Sequence, residues 1–139
     1  MPKRKIADKI YTLVCDDVRH EIGNKLSVIG IYDDVVVRKI PTILPKINLA
    51  LFIKGLRYKI KSVSVSLRRP DGEVLEIPEI KISPNSKLGS NHTFDLCFAP
   101  LKIDEPGTFV WEIRVDGENE PSITQDMEIR TAENQQPKP

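Results

Sequence analysis

The sequence predicts an all-β protein, a two-sheet antiparallel β-sandwich of about eight strands, immunoglobulin-like or C2-like in kind. Three observations lead there. Apolar and polar residues alternate with period two along several stretches, while the spacing of a helix face is scarce. Two Asp-Gly dipeptides, Asp71-Gly72 and Asp116-Gly117, stand between such stretches, where a tight turn needs positive φ. At 139 residues, 40% of them hydrophobic and 29% charged, the chain has the make-up of one ordinary domain. A chain of that size buries about two-thirds of its unfolded surface and needs no metal or disulfide to hold a core.

Taken in order, Ile10 to Cys15 reads as the first strand. Asp16, Asp17, Arg19 and Glu21, followed by Gly23-Asn24, read as a charged turn leading into a second strand at Lys25 to Tyr32. Val35 to Arg38 is a short third. Ile40 to Pro45, Ile-Pro-Thr-Ile-Leu-Pro, is too rich in proline for a central strand and is expected to cross between sheets. Ile47 to Ile53 is apolar at nearly every position, the pattern of a central strand covered on both sides. Leu56, Tyr58 and Ile60 are even-numbered whereas Val63, Val65 and Leu67 are odd, so the facing flips near Lys61 through a bulge or short turn.

Ser62 to Arg69 and Glu73 to Ile82 form a hairpin around Asp71-Gly72. Thr93 to Ala99 alternates Phe94, Leu96 and Phe98 with polar partners. Thr108 to Asp116 sets Phe109, Trp111, Ile113 and Val115 on one face, and Ser122 to Arg130 repeats the pattern beyond Asp116-Gly117 with Ile123, Gln125, Met127 and Ile129. The single domain is expected over residues 6–130, between a flexible basic tail at 1–5 and a disordered tail at 131–139.

No apolar run approaches the roughly 18 to 20 residues that span a bilayer, and the N-terminus lacks the apolar segment of a signal peptide. The expected compartment is the cytoplasm, with Cys15 and Cys97 as buried free thiols. Net charge is +1 but divided: residues 1–69 carry 15 Lys+Arg against 6 Asp+Glu, +9, and residues 70–139 carry 6 against 14, −8. An all-β fold interleaves its two halves, so this split is expected to complement itself inside the fold. The competing reading is a polar surface that steers a charged partner.

Cys15-Asp16-Asp17-Val18-Arg19, then Gly23-Asn24-Lys25-Leu26, Gly30-Ile31-Tyr32 and the pair Pro41 and Pro45 resemble, in order and spacing, a bacterial family of small cytoplasmic domains of unknown function, family 6941. The resemblance is strongest over residues 13–53 and continues through the Asp-Gly hairpins. It implies a bacterial or phage setting and one domain. It carries no activity and names no catalytic residue.

Asp16, Asp17 and Glu21, with Asp33 and Asp34, invite a calcium site, since that ion takes 6 to 8 oxygen ligands about 2.4 Å away. Strand length argues against pooling them: eight residues from Lys25 to Tyr32, at about 3.3 Å each, set the two Asp doublets about 26 Å apart. Turn caps paired with Arg19 or Lys25 are the plainer reading. Cys15, His20, His92 and Cys97 suggest zinc only superficially, because each Cys–His pair spans about 16 Å of extended chain and points to opposite faces. Ser90, His92 and Asp95 lie close in sequence without the strand-turn-helix context that activates a serine. The glycines stand singly, with no phosphate-cradling motif.

The run Lys54, Arg57, Lys59, Lys61, Arg68 and Arg69 is the best nucleic-acid candidate, but aromatic interleaving is thin and the pI near 7.7 is low for such a domain. A solvated strand face or a patch for an acidic protein fits it better. The expected function is therefore a non-enzymatic cytoplasmic protein-interaction module with no cofactor or metal. It would use Asp16 to Asn24, the basic stretch or an exposed edge to meet another protein or a second copy, away from membranes. The alternatives are a small calcium-type ligand-binding module or hydrolase built on Asp16, Asp17 and Glu21, and a weak nucleic-acid binder acting through residues 54–69.

Overall fold

The computed structural model describes residues 5–23 and 25–132. The tails expected at 1–5 and 131–139 lie outside them, apart from Lys5, Thr131 and Ala132, and Thr131 closes the last strand. The described residues are all-β, in eleven strands: β1 Ala7–Glu21, β2 Lys25–Ile31, β3 Val35–Val37, β4 Thr42–Leu44, β5 Ile47–Leu56, β6 Ser62–Arg68, β7 Val74–Lys81, β8 His92–Phe98, β9 Leu101–Ile103, β10 Gly107–Val115 and β11 Ile123–Thr131. They form a four-stranded sheet in the order β2-β1-β5-β8, a five-stranded sheet in the order β3-β11-β10-β6-β7, and a pair, β4-β9.

Eleven strands in three sheets replace the eight in two that the sequence suggests, and the extra ones are short. β9 holds three residues between Pro100 and Pro106, too few for alternation to reveal. Ile40 to Pro45, expected as a bare crossing, holds β4, which pairs with β9 through Thr42 opposite Ile103 and Leu44 opposite Leu101. The five-stranded sheet is mixed, because β3 runs parallel to β11.

Both Asp-Gly turns form where expected. The Asp71 carboxylate accepts from the Glu73 amide at 2.8 Å, closing the β6–β7 hairpin. Asp116 takes φ 51 and Gly117 φ 71, and the Asp116 carboxylate also accepts from the Lys61 and Ser62 amides at 2.6 and 3.1 Å. One turn thus fastens the start of β6 as well as joining β10 to β11.

The core draws on both large sheets at once. Val14, Leu49, Leu51, Ile53 and Leu96 of the four-stranded sheet pack with Val63, Val65, Leu67, Phe109, Trp111, Ile113 and Met127 of the five-stranded one. Trp111 and Phe109 are fully buried, and Trp111 meets Phe98 across the sheets at 5.6 Å between ring centroids. The alternation read from β6 and β10 is therefore the packing itself. The facing flip placed near Lys61 falls in residues 57–61, where the chain leaves the four-stranded sheet after β5 and enters the five-stranded sheet at β6. Changing sheets lets an even-numbered and an odd-numbered series both face one core.

Candidate functional site

Strand β1 is the longest of the fold, and its facing switches twice. Ala7 and Ile10 both pack on the main core although they lie three residues apart, which a regular strand would put on opposite faces. Cys15 and Val18, also three apart, share a second apolar cluster. At each switch an aspartate faces a glycine with positive φ on the neighbouring strand: Asp8 opposite Gly55, φ 71, and Asp16 opposite Gly30, φ 68. A Cβ on either glycine would run into the aspartate carboxylate, so both pairs need glycine for space and for conformation.

The second switch builds the candidate site on the outward face of the four-stranded sheet. Directly opposed residues share a face, and the register sets out the rows as Tyr11–Phe52–Thr93, Leu13–Ala50–Asp95 and Cys15–Asn48–Cys97. Beyond Asp16, the pairs Val18–Val28 and His20–Leu26 follow. Cys15, Val18 and Ala50 are buried with Leu13, Leu26, Val28 and Phe52 packed round them. Every one of these comes from β1, β2 or β5, and no residue of the five-stranded sheet enters the cluster. Small side chains sink beneath larger neighbours, so burial here comes from the sheet's own side chains. The expectation that Ile47 to Ile53 is covered on both sides is thus half corrected, since a second sheet covers only one of them.

At one end of this face Tyr11 stacks on Phe52, centroids 4.7 Å apart, and the Lys54 ammonium lies 5.9 Å from the Phe52 ring centroid, in reach of a cation–π attraction. Lys9 stands opposite Lys54. At the other end the β1–β2 hairpin carries Ile22 at its tip, 97% exposed, and Ile29 and Ile31 on the edge strand are also exposed. In the middle row Asn48 is fully buried, donates to Asp95 at 2.5 Å and leaves its own carbonyl without a partner.

The acidic residues do not form a turn. Asp16, Asp17, Arg19 and Glu21 lie within β1, and the turn comes only at Ile22-Gly23. Because β2 folds back along β1, Cys15 stands opposite Ile31 and the Tyr32 hydroxyl donates to the Asp16 carboxylate. The two Asp doublets therefore lie at the same end of the hairpin, and a separation of about 26 Å holds only if the turn begins at Asp16.

Asp16, Asp17 and Asp34 nonetheless have separate partners. Asp17 takes the Lys46 ammonium at 2.6 Å, the Arg19 guanidinium at 3.4 Å and the Val18 amide at 3.0 Å. Its carboxyl is held below the usual range, chiefly by the hydrogen bond from Lys46, whose ammonium is raised in return. Asp34 pairs with Arg130, and exposed Glu21 stands opposite Lys25. Burial first, then Asp16, pushes the Tyr32 hydroxyl up to about 12. Burial, reinforced by Asp95, pushes the Cys15 thiol up to about 11.

The basic run is divided among three places. Lys54 lies on the outward face, Arg57 pairs with Asp8 at 2.8 Å, and Lys59 and Lys61 line the passage between sheets. Arg68 pairs with Glu112 at 3.0 Å and Arg69 with Asp104 at 3.5 Å. The last two pair cations of the basic half of the sequence with carboxylates of its acidic half, so part of the charge split is absorbed inside the fold.

Cys15 and Cys97 are both free and flank Asn48. Two strand spacings, about 9.6 Å, exceed the reach of a disulfide. Among the described residues, no three His, Cys, Asp or Glu side chains converge to hold a metal ion. Ser90 Oγ does lie 2.9 Å from His92 Nε2, a contact the sequence reading set aside. Asp95, three residues further along β8 and bonded to Asn48, is no third member of it.

The outward apolar face was the feature sequence reasoning missed. Its signals were present in the apolar run of β5 and in the three-residue step from Cys15 to Val18. No curated protein matches the chain. A match does extend over most of it, from residue 10 to residue 126, and on that extent the chain belongs to the family of unknown function DUF6941.

Proposed function

We propose that this chain is a non-enzymatic protein-binding module of β-sandwich type that holds another protein against the outward face of its four-stranded sheet and the β1–β2 hairpin. One observation carries the reading: an apolar cluster of Leu13, Cys15, Val18, Leu26, Val28, Ala50 and Phe52 lies on the side of the sheet away from the main core. The fold spends its apolar residues on a core between sheets, and a second cluster outside it is the mark of a surface that meets something else. Exposed Ile22 at the hairpin tip and exposed Ile31, opposite Cys15, extend that surface along the hairpin.

Charge narrows the partner. Lys9 and Lys54 face each other at the aromatic end and have no carboxylate partner among the described residues. A protein segment with apolar side chains and acidic neighbours complements that arrangement. The two separated free thiols support a cytoplasmic setting.

The test compares the tagged protein with a Tyr11→Glu/Leu26→Glu variant, purified at low salt from the native host. Both positions are at least partly exposed, so the variant is expected to stay folded with a melting temperature lowered by only a few degrees. The wild type is expected to retain a stoichiometric partner that the variant loses by about tenfold or more, as loss of a central anchor predicts. Light scattering identifies a second copy as that partner if the wild type is a dimer and the variant a monomer. Equal retention by both proteins, or a wild type that stays monomeric and binds nothing, overturns the reading.

A further inference from the structure

A cleft of about 570 Å³ opens where two connections cross side by side between the large sheets. Residues 57–61 run from β5 to β6, and residues 82–91 run back from β7 to β8. Backbone hydrogen bonds hold the two connections in place: the Ile82 amide donates to the Lys61 carbonyl at 2.9 Å, the Gly89 amide to Leu56 at 2.7 Å, and the Leu56 amide to Ser90 at 3.0 Å. The cleft is therefore part of the fold's framework.

Its lining divides by chemistry. Leu56, Ile60 and Ile82, all buried, supply apolar walls. Lys59, Lys61 and Lys81 are exposed at the same cleft, and none has a carboxylate partner among the described residues. Among the described residues Asp116 is the one carboxylate lining the cleft, and it is already occupied by the Lys61 and Ser62 amides. Three ammonium groups against one carboxylate leave the lining at +2. The hollow on the five-stranded sheet, about 610 Å³, differs in kind: its Arg68 and Arg114 are paired with its own Glu112.

We infer that this cleft binds a small organic anion with an apolar body, an alkyl or aryl carboxylate, with the body against Leu56, Ile60 and Ile82 and the charge among Lys59, Lys61 and Lys81. The volume falls within the roughly 300–1,000 Å³ of small-ligand sites, which pair apolar walls with a few convergent polar groups. Lysine supplies point charges on flexible stems, suited to an anion that is not gripped in a fixed fork. The inference stands independently of the protein-binding reading.

Octanoate, 1-octanol, acetate and inorganic phosphate serve as probes, followed by amide chemical shifts in the full chain. Octanoate is expected to saturate in the millimolar range, with shifts concentrated at residues 59–61 and 81–86. Octanol, lacking the charge, and acetate and phosphate, lacking the apolar body, are each expected to bind at least about tenfold more weakly, equivalent to about 1.4 kcal/mol. A Lys59→Gln/Lys81→Gln variant is expected to keep its melting temperature and lose about tenfold in octanoate affinity, with octanol unaffected. The inference is overturned if octanoate does not saturate, if its shifts fall elsewhere, if octanol matches octanoate, if acetate or phosphate matches it, or if the lysine variant binds octanoate as tightly as the wild type.

Discussion

The two faces of the four-stranded sheet are built from the same strands and do different work. On the inward face Val14, Leu49, Leu51, Ile53 and Leu96 complete a core shared with the five-stranded sheet. On the outward face Leu13, Cys15, Ala50 and Phe52 gather with residues of β2 and meet no second sheet. Burial alone does not separate them, since Ala50 and Cys15 are as buried as Leu49 and Leu51. What separates them is the source of the covering atoms. Inward burial is demanded by the fold, whereas outward burial is a local arrangement that leaves larger side chains partly open for contact.

Truncation should expose that difference first. Leu51→Ala, on the inward face, is expected to cost about 2–5 kcal/mol through the cavity it leaves, read as a large drop in denaturant midpoint. A loss under about 1 kcal/mol would erase the distinction between the faces. Gly30→Ala tests the hinge between them. The substitution forces a side chain into positive φ against Asp16, with an expected cost of about 1–3 kcal/mol. The effect should fall on the β1–β2 hairpin, seen as faster amide exchange at residues 17–29 while β10 and β11 stay protected.

Alkaline pH gives a smaller and more selective effect. Cys15 ionises near its ordinary 9.0 in the unfolded chain but only near about 11 in the folded one, and Tyr32 moves from 10.0 to about 12. A raised pKa means the native state holds the proton longer. Stability is therefore full below about pH 9 and falls as pH rises through these windows. Cys15→Ala should flatten the part of the decline between pH 9 and 11, and an unchanged slope would remove the thiol from the account. The smallest expected effect is Leu26→Ser on the outward face, about 1 kcal/mol or less, because the residue is only partly buried. Partner binding should suffer far more than stability there.

Legibility in the sequence followed the same division. β10 was open to reading residue by residue, since Phe109, Trp111, Ile113 and Val115 alternate with the mostly polar series Thr108, Val110, Glu112 and Arg114, and one face is wholly buried. Both Asp-Gly turns declared themselves through a conformation few other residues adopt. The β1–β2 hairpin misled because Asp16-Asp17 and Gly23-Asn24 are both good turn chemistry. Only the pairing of β1 with β2, which carries Asp16 past Gly30, decides between them. β4 and β9 were hidden by their three-residue length, and the outward face by an assumption that apolar residues on both sides of a strand require two covering layers.

The parallel pairing of β3 with β11 ties Val35 to Ile129 and Val37 to Thr131, joining the first third of the chain to its last strand. During synthesis the β1–β2 hairpin can close early, but the segment after it must wait until β11 has emerged before its edge is capped. Such distant pairings delay folding and prolong the exposure of unsatisfied strand edges. A nascent chain that has not yet released β11 is thus the form most exposed to wrong pairing, and the one for which a chaperone would matter most.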